Sequence, residues 1–254
     1  MATAIIEGII NAKFVDCKDI FVNAKFEDEM KRLADKYFIN ICYEKKELIE
    51  KVDIIILAVK PNQYVEVVEN IKDYCKENQL IISIAAGLTI NNIEKMFGMN
   101  VKLIRCMPNT PVTVREGMTG ICGNKNVESD DINYALKLFS TIGKAEVINE
   151  KQMDAVVAVS GSSPAYVYMM IDAMIEGAII EGMEKEKARL FAAQAVLGSA
   201  KMILETNIEP SELKNRVCSP GGTTIEAVKV LEQKEFCSSI IDAMKACADK
   251  SRNM

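Results

Sequence analysis

The residues best suited to chemistry cluster in SPGGTTIEAVKVLE, residues 219 to 232. Pro220 and the pair Gly221-Gly222 call for a tight turn. Thr223 and Thr224 fall where a helix should begin. A helix start presents N–H groups without partners and a partial positive charge. Two adjacent glycines let a ligand approach the backbone closely. With Ser219 ahead of them, these residues suit a pocket for a carboxylate or a phosphate. An ordinary turn closed by a Thr N-cap fits the same residues and stays open as the plainer reading.

Four other stretches have chemical potential. ILAVKPNQ (56–63) ends an apolar strand in Lys60-Pro61, and SIAAGLT (83–89) ends another in small residues. IRCMPNTP (104–111) is a third strand end, stiffened by two prolines. Ligands of open α/β sheets bind outside the carboxyl ends of strands, so these three loops are expected on one rim. VSGSSPAYVYMMIDAMIEG (159–177) places a Ser/Gly-rich turn before Pro164, near the start of a long helix, where proline is tolerated. A solvated lysine at a strand end and simple helix capping are the alternatives.

Composition removes several classes of chemistry. The chain has no histidine among its 254 residues, which excludes Ser-His-Asp catalysis, histidine bases and histidine metal sites. The eight cysteines form no C-x-x-C pair, so neither a zinc knuckle nor a redox dithiol is expected, and no metal site is assigned. Several lie in apolar runs, where a free cysteine acts as a small hydrophobe; reduced core cysteines in a cytoplasmic protein are expected. The net charge of -5 gives no basic surface for nucleic acid. No secretory signal is visible at the start. The longest apolar stretch, 164 to 183, carries Asp172, Glu176 and Glu181. Charges at a bilayer centre cost roughly 3 kcal/mol each, so a helix buried within protein is expected instead of a membrane span.

The elements that must position these residues fall into two halves. Candidate strands are 19–22, 40–43, 54–59, 80–85, 101–107, 119–122 and 145–148, with amphipathic segments such as EDEMKRLADKY between several of them. Continuous apolar strands alternating with helices predict a mostly parallel sheet covered on both faces, a doubly wound Rossmann-type α/β domain over residues 1–149. From 150 to 254 no strand is predicted. Helices are expected at 163–182, 186–206, 222–233 and 235–250, punctuated by Pro210 and Pro220. The helix at 163–182 is apolar around most of its circumference. A small helical domain cannot cover it, so a subunit interface is expected there.

These motifs together resemble the pyrroline-5-carboxylate reductase family across essentially the whole chain. The resemblance rests on LAVKP (57–61), SIAAG (83–87), RCMPNTP (105–111), SGSSPAY (160–166) and above all the pattern running from Pro210 to Glu232. It implies NAD(P)H-dependent reduction of a five-membered cyclic imine carrying a carboxylate, 1-pyrroline-5-carboxylate, to L-proline. It implies that Ala58, Val59, Lys60 and Pro61 line the dinucleotide, with Ala85 and Ala86 nearby, and that Met1, Asn23, Ala24, Lys25, Asn109 and Ser162 also belong to the cofactor site. Ser219, Gly221, Gly222, Thr223 and Thr224 would hold the substrate. The backbone N–H groups of Gly222, Thr223 and Thr224 would bind its carboxylate, and the Thr224 hydroxyl its ring nitrogen. A homodimer, often within a ring of dimers, is implied. NADH enzymes usually end the second strand in a carboxylate. Here Asn23-Ala24-Lys25 follows that strand, and Lys25 suits a 2′-phosphate, so NADPH is expected over NADH. A lysine that merely faces water is the other reading. Two positions depart from the family pattern: Ser163 stands for a glycine, and Lys45 and Lys46 occupy a region where an asparagine is common. A related imine or carbonyl reductase of the same architecture is the competing reading, and the 210–232 pattern argues against it.

Relatives begin with a short apolar strand and a G-x-G-x-M turn, whereas AIIEGII (4–10) reads here as the first helix. The reading expects a start codon assigned too late, with a weakly active dimeric remnant as the alternative. The strand concerned would be central in the sheet, and its neighbours would each have an unpaired edge.

Overall fold

The computed structural model describes residues 1–253. In chain order its elements begin with α1 (Ala2–Asn11), β1 (Phe21–Val22), α2 (Glu27–Tyr37), β2 (Asn40–Ile41), α3 (Lys45–Lys51), β3 (Ile54–Leu57) and α4 (Tyr64–Glu69). They continue with β4 (Leu80–Ser83), α5 (Ile90–Phe97), β5 (Lys102–Met107), β6 (Gly117–Gly123), α6 (Ser129–Ser140), β7 (Gly143–Val147) and α7 (Met153–Val156). Helices alone follow: α8 (Ser163–Ile180), α9 (Lys185–Thr206), α10 (Pro210–Val217), α11 (Thr223–Gln233) and α12 (Phe236–Arg252). All seven candidate strands form. Their apolar, β-branched runs leave few other ways to bury the side chains.

The strands β3 to β7 make one sheet in sequential order, parallel except where β6 runs against β5. Successive side chains of a strand point to opposite faces, and each face of this sheet has its own core. Ile55, Leu57, Ile81 and Leu103 pack on one face with Tyr64 and Val68 of α4 and Ile93 and Phe97 of α5. Leu80, Ile82, Ile104 and Cys106 pack on the other with Ile5 and Ile9 of α1 and Leu138 and Phe139 of α6.

β1 and β2 form a separate parallel pair. Among the described residues β1 and β3 therefore each have one hydrogen-bonded neighbour, and the break falls where the sequence predicts a central strand. α1 spans it. Ile5 and Ile9 join the core under the larger sheet, while Ile6 and Ile10 pack with Leu33, Tyr37 and Ile39 beside the smaller one.

By contact the chain divides into two compact units, Met1–Gly161 with the C-terminal residues from Cys247, and Ser162–Ala246. The sequence divides the chain at 149/150, twelve residues earlier. Residues 150–161 remain with the α/β unit because Met153 and Val156 pack into its core. Ser251, near the end of α12, also belongs to this unit, donating its hydroxyl to Asp154 Oδ1 at 2.7 Å.

The helical unit differs in burial. α8, α10 and α11 bury no residue within the chain, and α9 buries only Ala188 and Ala192. α10 is a helix that the apolar pattern does not reveal. PSELKNRV is short and polar, and Pro210 starts it instead of merely interrupting, since proline's missing N–H costs nothing in a first turn.

Candidate active site

β3, β4 and β5 are parallel neighbours in register, with Leu57 opposite Ser83 and Ser83 opposite Arg105. Their carboxyl ends therefore share one edge, and the loops 58–61, 84–87 and 108–111 leave from that rim. Ala85 is buried and Ala58, Val59, Pro61 and Ala86 are half-buried, while Lys60 points to solvent. Small side chains at this edge leave the backbone open to a flat ligand.

Beneath the rim lies a polar pair that the sequence motifs do not signal. The fully buried Tyr64 donates its hydroxyl to the Leu57 carbonyl at 2.8 Å and shares a 2.9 Å hydrogen bond with Ser83 Oγ. Burial pushes the Tyr64 hydroxyl up to about 12. A second unsignalled pair is buried Arg105 with Glu150 at 3.0 Å. Glu150 also accepts from the Ile90 N–H at 2.7 Å, which ties the start of α5 to β5. The charged residue within LIRCM is the one sequence clue, because a buried arginine needs a partner.

The tip of β1 has no carboxylate. Asn23 donates its side-chain amide to the carbonyls of Cys42 (2.8 Å) and Tyr43 (3.1 Å), holding the tip against the end of β2. Ala24 is half-buried and Lys25 exposed, with its ammonium 5.9 Å from the Phe26 ring centre. Met1 precedes α1, and its carbonyl accepts from Ile5 at 3.1 Å. A small recess bounded by Ala4, Gly8, Val112, Thr113 and Arg115 puts this part of α1 beside the turn that follows β5.

Asn109 is engaged on both side-chain atoms. It donates to the Ser160 carbonyl at 3.0 Å and accepts from the Met118 N–H at 2.9 Å, so it pins the loop after β5 to two other segments. The Ser/Gly-rich stretch near 160 is not a turn. Residues Val157–Gly161 are π-helical and lead to Ser162, the cap of α8, whose carbonyl accepts from Ala165 at 3.0 Å. Single π-helical turns of this kind recur at functional sites.

The helical unit carries the second group of residues. Ser219 to Gly222 form a reverse turn, closed by the Gly222 N–H donating to the Ser219 carbonyl at 3.0 Å. Pro220 and Gly221, the latter at φ 72°, are the central residues that a type II turn requires. A Cβ on Gly222 would approach Ser219 Oγ to 2.7 Å and the Ser219 carbonyl oxygen to 3.1 Å, so a larger residue there would make Ser219 rotate away. Gly222 caps α11, with no side-chain cap, which removes the plainer reading of a Thr N-cap. One expectation is corrected: the Gly222 N–H is spent within the turn and is not a carboxylate donor. Thr223 and Thr224, as the first helical residues, keep N–H groups for which the helix has no acceptor. Thr224 is half-buried and Thr223 exposed.

The cysteines offer no nucleophile in the α/β core. Burial holds the Cys106 thiol well above its ordinary range and pushes Cys122 and Cys75 up to about 11. Among the described residues no cluster of three or more His, Cys, Asp or Glu side chains is placed to hold a metal ion. A wider recess of about 610 Å³, beside Cys122, Asn124 and Glu150, lies at the carboxyl end of β6. Because β6 is antiparallel to β5, that is the edge opposite the rim.

Comparison with known proteins decides the family. Residues 150–254 match the model of the pyrroline-5-carboxylate reductase dimerisation domain. Residues 1–87 match a model described as NADP oxidoreductase, coenzyme F420-dependent. The pyrroline-5-carboxylate reductase of Escherichia coli K12 is 44% identical over the whole chain, which spans 94% of that relative. The chain belongs to the pyrroline-5-carboxylate reductase family. A solved member from Coxiella burnetii is 35% identical and superposes with a TM-score of 0.93 over 99% of this chain and 94% of its own. The Plasmodium falciparum reductase, solved with NADP bound, is 34% identical with a TM-score of 0.87 over 99% and 93%. The fold is thus the family's Rossmann-like domain followed by a helical dimerisation domain. No helix among the described residues is long and apolar enough to cross a membrane.

Proposed function

We propose that this chain reduces 1-pyrroline-5-carboxylate to L-proline, with NADPH as the reductant. The observation that carries the reading is the turn Ser219–Gly222 feeding α11, within a chain 44% identical from end to end to a named reductase. The residues present suit the dinucleotide. Three loops with small side chains leave one rim, and the tip of β1 presents Lys25 and no carboxylate. A lysine there complements a 2′-phosphate, whereas NADH sites use an acid on the ribose diol. When bound, the nicotinamide supplies the hydride.

The chain's own residues bind and orient. Ala58, Val59, Lys60, Pro61, Ala85 and Ala86 form the dinucleotide wall, Ala24 and Lys25 meet its ribose end, and Met1 at the start of α1 lies toward its phosphates. Asn23, Asn109 and Ser162 hold the segments around it. The N–H groups of Thr223 and Thr224, at the positive end of α11, hold the substrate carboxylate. The Thr224 hydroxyl hydrogen-bonds the ring nitrogen, where the C=N electron pair goes as the imine carbon is reduced. A hydrogen bond that strengthens as this pair moves favours the transition state over the ground state. No histidine is needed. The helical unit makes a dimer, and a ring of dimers is its larger assembly. Among the described residues no disulfide joins any of the eight cysteines, which accords with a cytoplasmic setting.

The test is NADPH oxidation with pyrroline-5-carboxylate, followed in wild type and Thr224→Val. Loss of one hydrogen bond to the reacting nitrogen should lower kcat about tenfold or more. Unchanged turnover in Thr224→Val would remove Thr224 from the chemistry. An inert wild type that binds NADPH would remove the substrate.

A further inference from the structure

Two of the three rim loops leave β3 and β4, and one side chain touches the ends of both strands. Tyr64 is the first residue of α4, which follows directly on the Lys60-Pro61 loop. Its hydroxyl donates to the carbonyl of Leu57, the last residue of β3. The same oxygen then accepts from Ser83 Oγ, the last residue of β4, because its only proton is already committed. Ser83 Oγ in turn receives the Ala85 N–H at 3.4 Å. Meanwhile the ladder bond between the strand ends is stretched, with Ile84 N–H to Leu57 carbonyl at 3.4 Å. Where the sheet's own hydrogen bonding fades, a side-chain bridge takes over.

Neither member is exposed; both Tyr64 and Ser83 are at 0%. A buried hydroxyl without a partner is costly, so each fixes the other. Rotation of either loop would break the bridge and leave two polar groups stranded in the core. We infer that Tyr64 is a positioning residue, whose buried hydroxyl locks the 58–61 and 84–87 loops into one wall for the dinucleotide. This rests on the reading that those loops hold NADPH. Tyr64 touches no reacting atom; it acts through the backbone at Leu57 and through Ser83.

Tyr64→Phe keeps the ring and its packing and removes only the bridge. Three measurements test the role: hydrogen exchange of amides 58–60 and 84–87 in the unliganded protein, the NADPH dissociation constant by fluorescence, and the split between KM for NADPH and kcat. The expected result is faster exchange confined to those two loops. NADPH binding and KM should weaken about fivefold to tenfold, as for one lost hydrogen bond, with kcat within about twofold of wild type. Ser83→Ala leaves the tyrosine in place and should give the same pattern more weakly, and it is the variant to use if Tyr64→Phe does not fold. The double variant Tyr64→Phe/Ser83→Ala removes the stranded hydroxyl. It should regain part of the melting temperature while exchange and KM stay altered. Variants that melt lower but match wild type in loop exchange and NADPH affinity would overturn the proposal and leave Tyr64 as core packing. Altered loop exchange in a wild type and variants that all fail to bind NADPH would uphold the lock and overturn the cofactor reading instead.

Discussion

The two units contain similar apolar material and treat it differently. In the α/β unit, β4 is buried along its whole length, and Phe139, Leu103 and Ile104 reach 0% exposure within one chain. In the helical unit α8 is as apolar as a core helix, yet none of its residues is buried; Met169 is 72% and Ile180 76% exposed. Phe191 and Leu204 of α9 are each 65% exposed. The α/β unit closes its core alone. The helical unit instead has an apolar surface too large for a monomer to leave in water. The match to a dimerisation domain supplies the cover: a second chain. Covering that surface on association should stabilise the helical half more than the α/β half, which already buries its core within one chain.

The largest expected effect breaks the helical side of that contrast. Met169→Glu/Ile180→Glu places two charges on the apolar surface of α8. An uncompensated buried charge is not tolerated, so sedimentation should show monomer in place of dimer at micromolar concentration, and the helical unit should lose its cooperative melting. A dimer that persists would mean that this surface is not the interface. The α/β side is sharpened by Glu150→Gln, which strips the charge partner from Arg105, itself 4% exposed. Glu150 is one-third exposed, so the cost should be about 2 kcal/mol in the denaturant transition of this unit, below that of a fully buried pair. The dimer should sediment as before, and a loss of association would show that the two units are not separable.

The smallest effect is absent at neutral pH. The folded state holds the Tyr64 proton more tightly than the unfolded chain, whose tyrosines titrate near 10, and burial raises the folded value to about 12. This contribution is therefore complete below pH 10 and is lost as pH rises toward 12. The buried thiols of Cys106 and Cys122 have the same sign, beginning at a lower pH. The difference between wild type and Tyr64→Phe isolates the tyrosine. Wild type should lose stability faster between pH 10 and 12, and parallel curves would contradict the burial of the hydroxyl.

Much of this was legible in local pattern. Runs such as IIIL and LIIS are strands because β-branched residues repeat without a helical period. PGG before TT places a tight turn and a helix start near Thr223 on conformational grounds alone. α10 was not legible, because eight mostly polar residues carry no apolar period. The Ser/Gly-rich stretch before Pro164 read as a turn, and its π-helical part at 157–161 was missed, since composition does not distinguish a turn from a widened helix. The resemblance places Asn109 in the cofactor site, and no local pattern shows that its amide bonds the Ser160 carbonyl and the Met118 N–H.

The sequence by itself determined the order of strands and helices, the turn at 219–222 and the excess of apolar surface on α8. Each depends on residues within one or two turns of one another, where period, proline and glycine act directly. Only the tertiary structure decided which polar groups meet. Tyr64 and Ser83 are 19 residues apart, and Arg105 and Glu150 are 45 apart. The first pairing follows from β3 and β4 lying parallel through the α4 crossover, the second from β5, β6 and β7 lying side by side, and no short window of sequence contains both partners. The Gly222 N–H turned into its own turn is of the same kind. It is settled by where a hydrogen-bonding group finds its partner once the chain has folded.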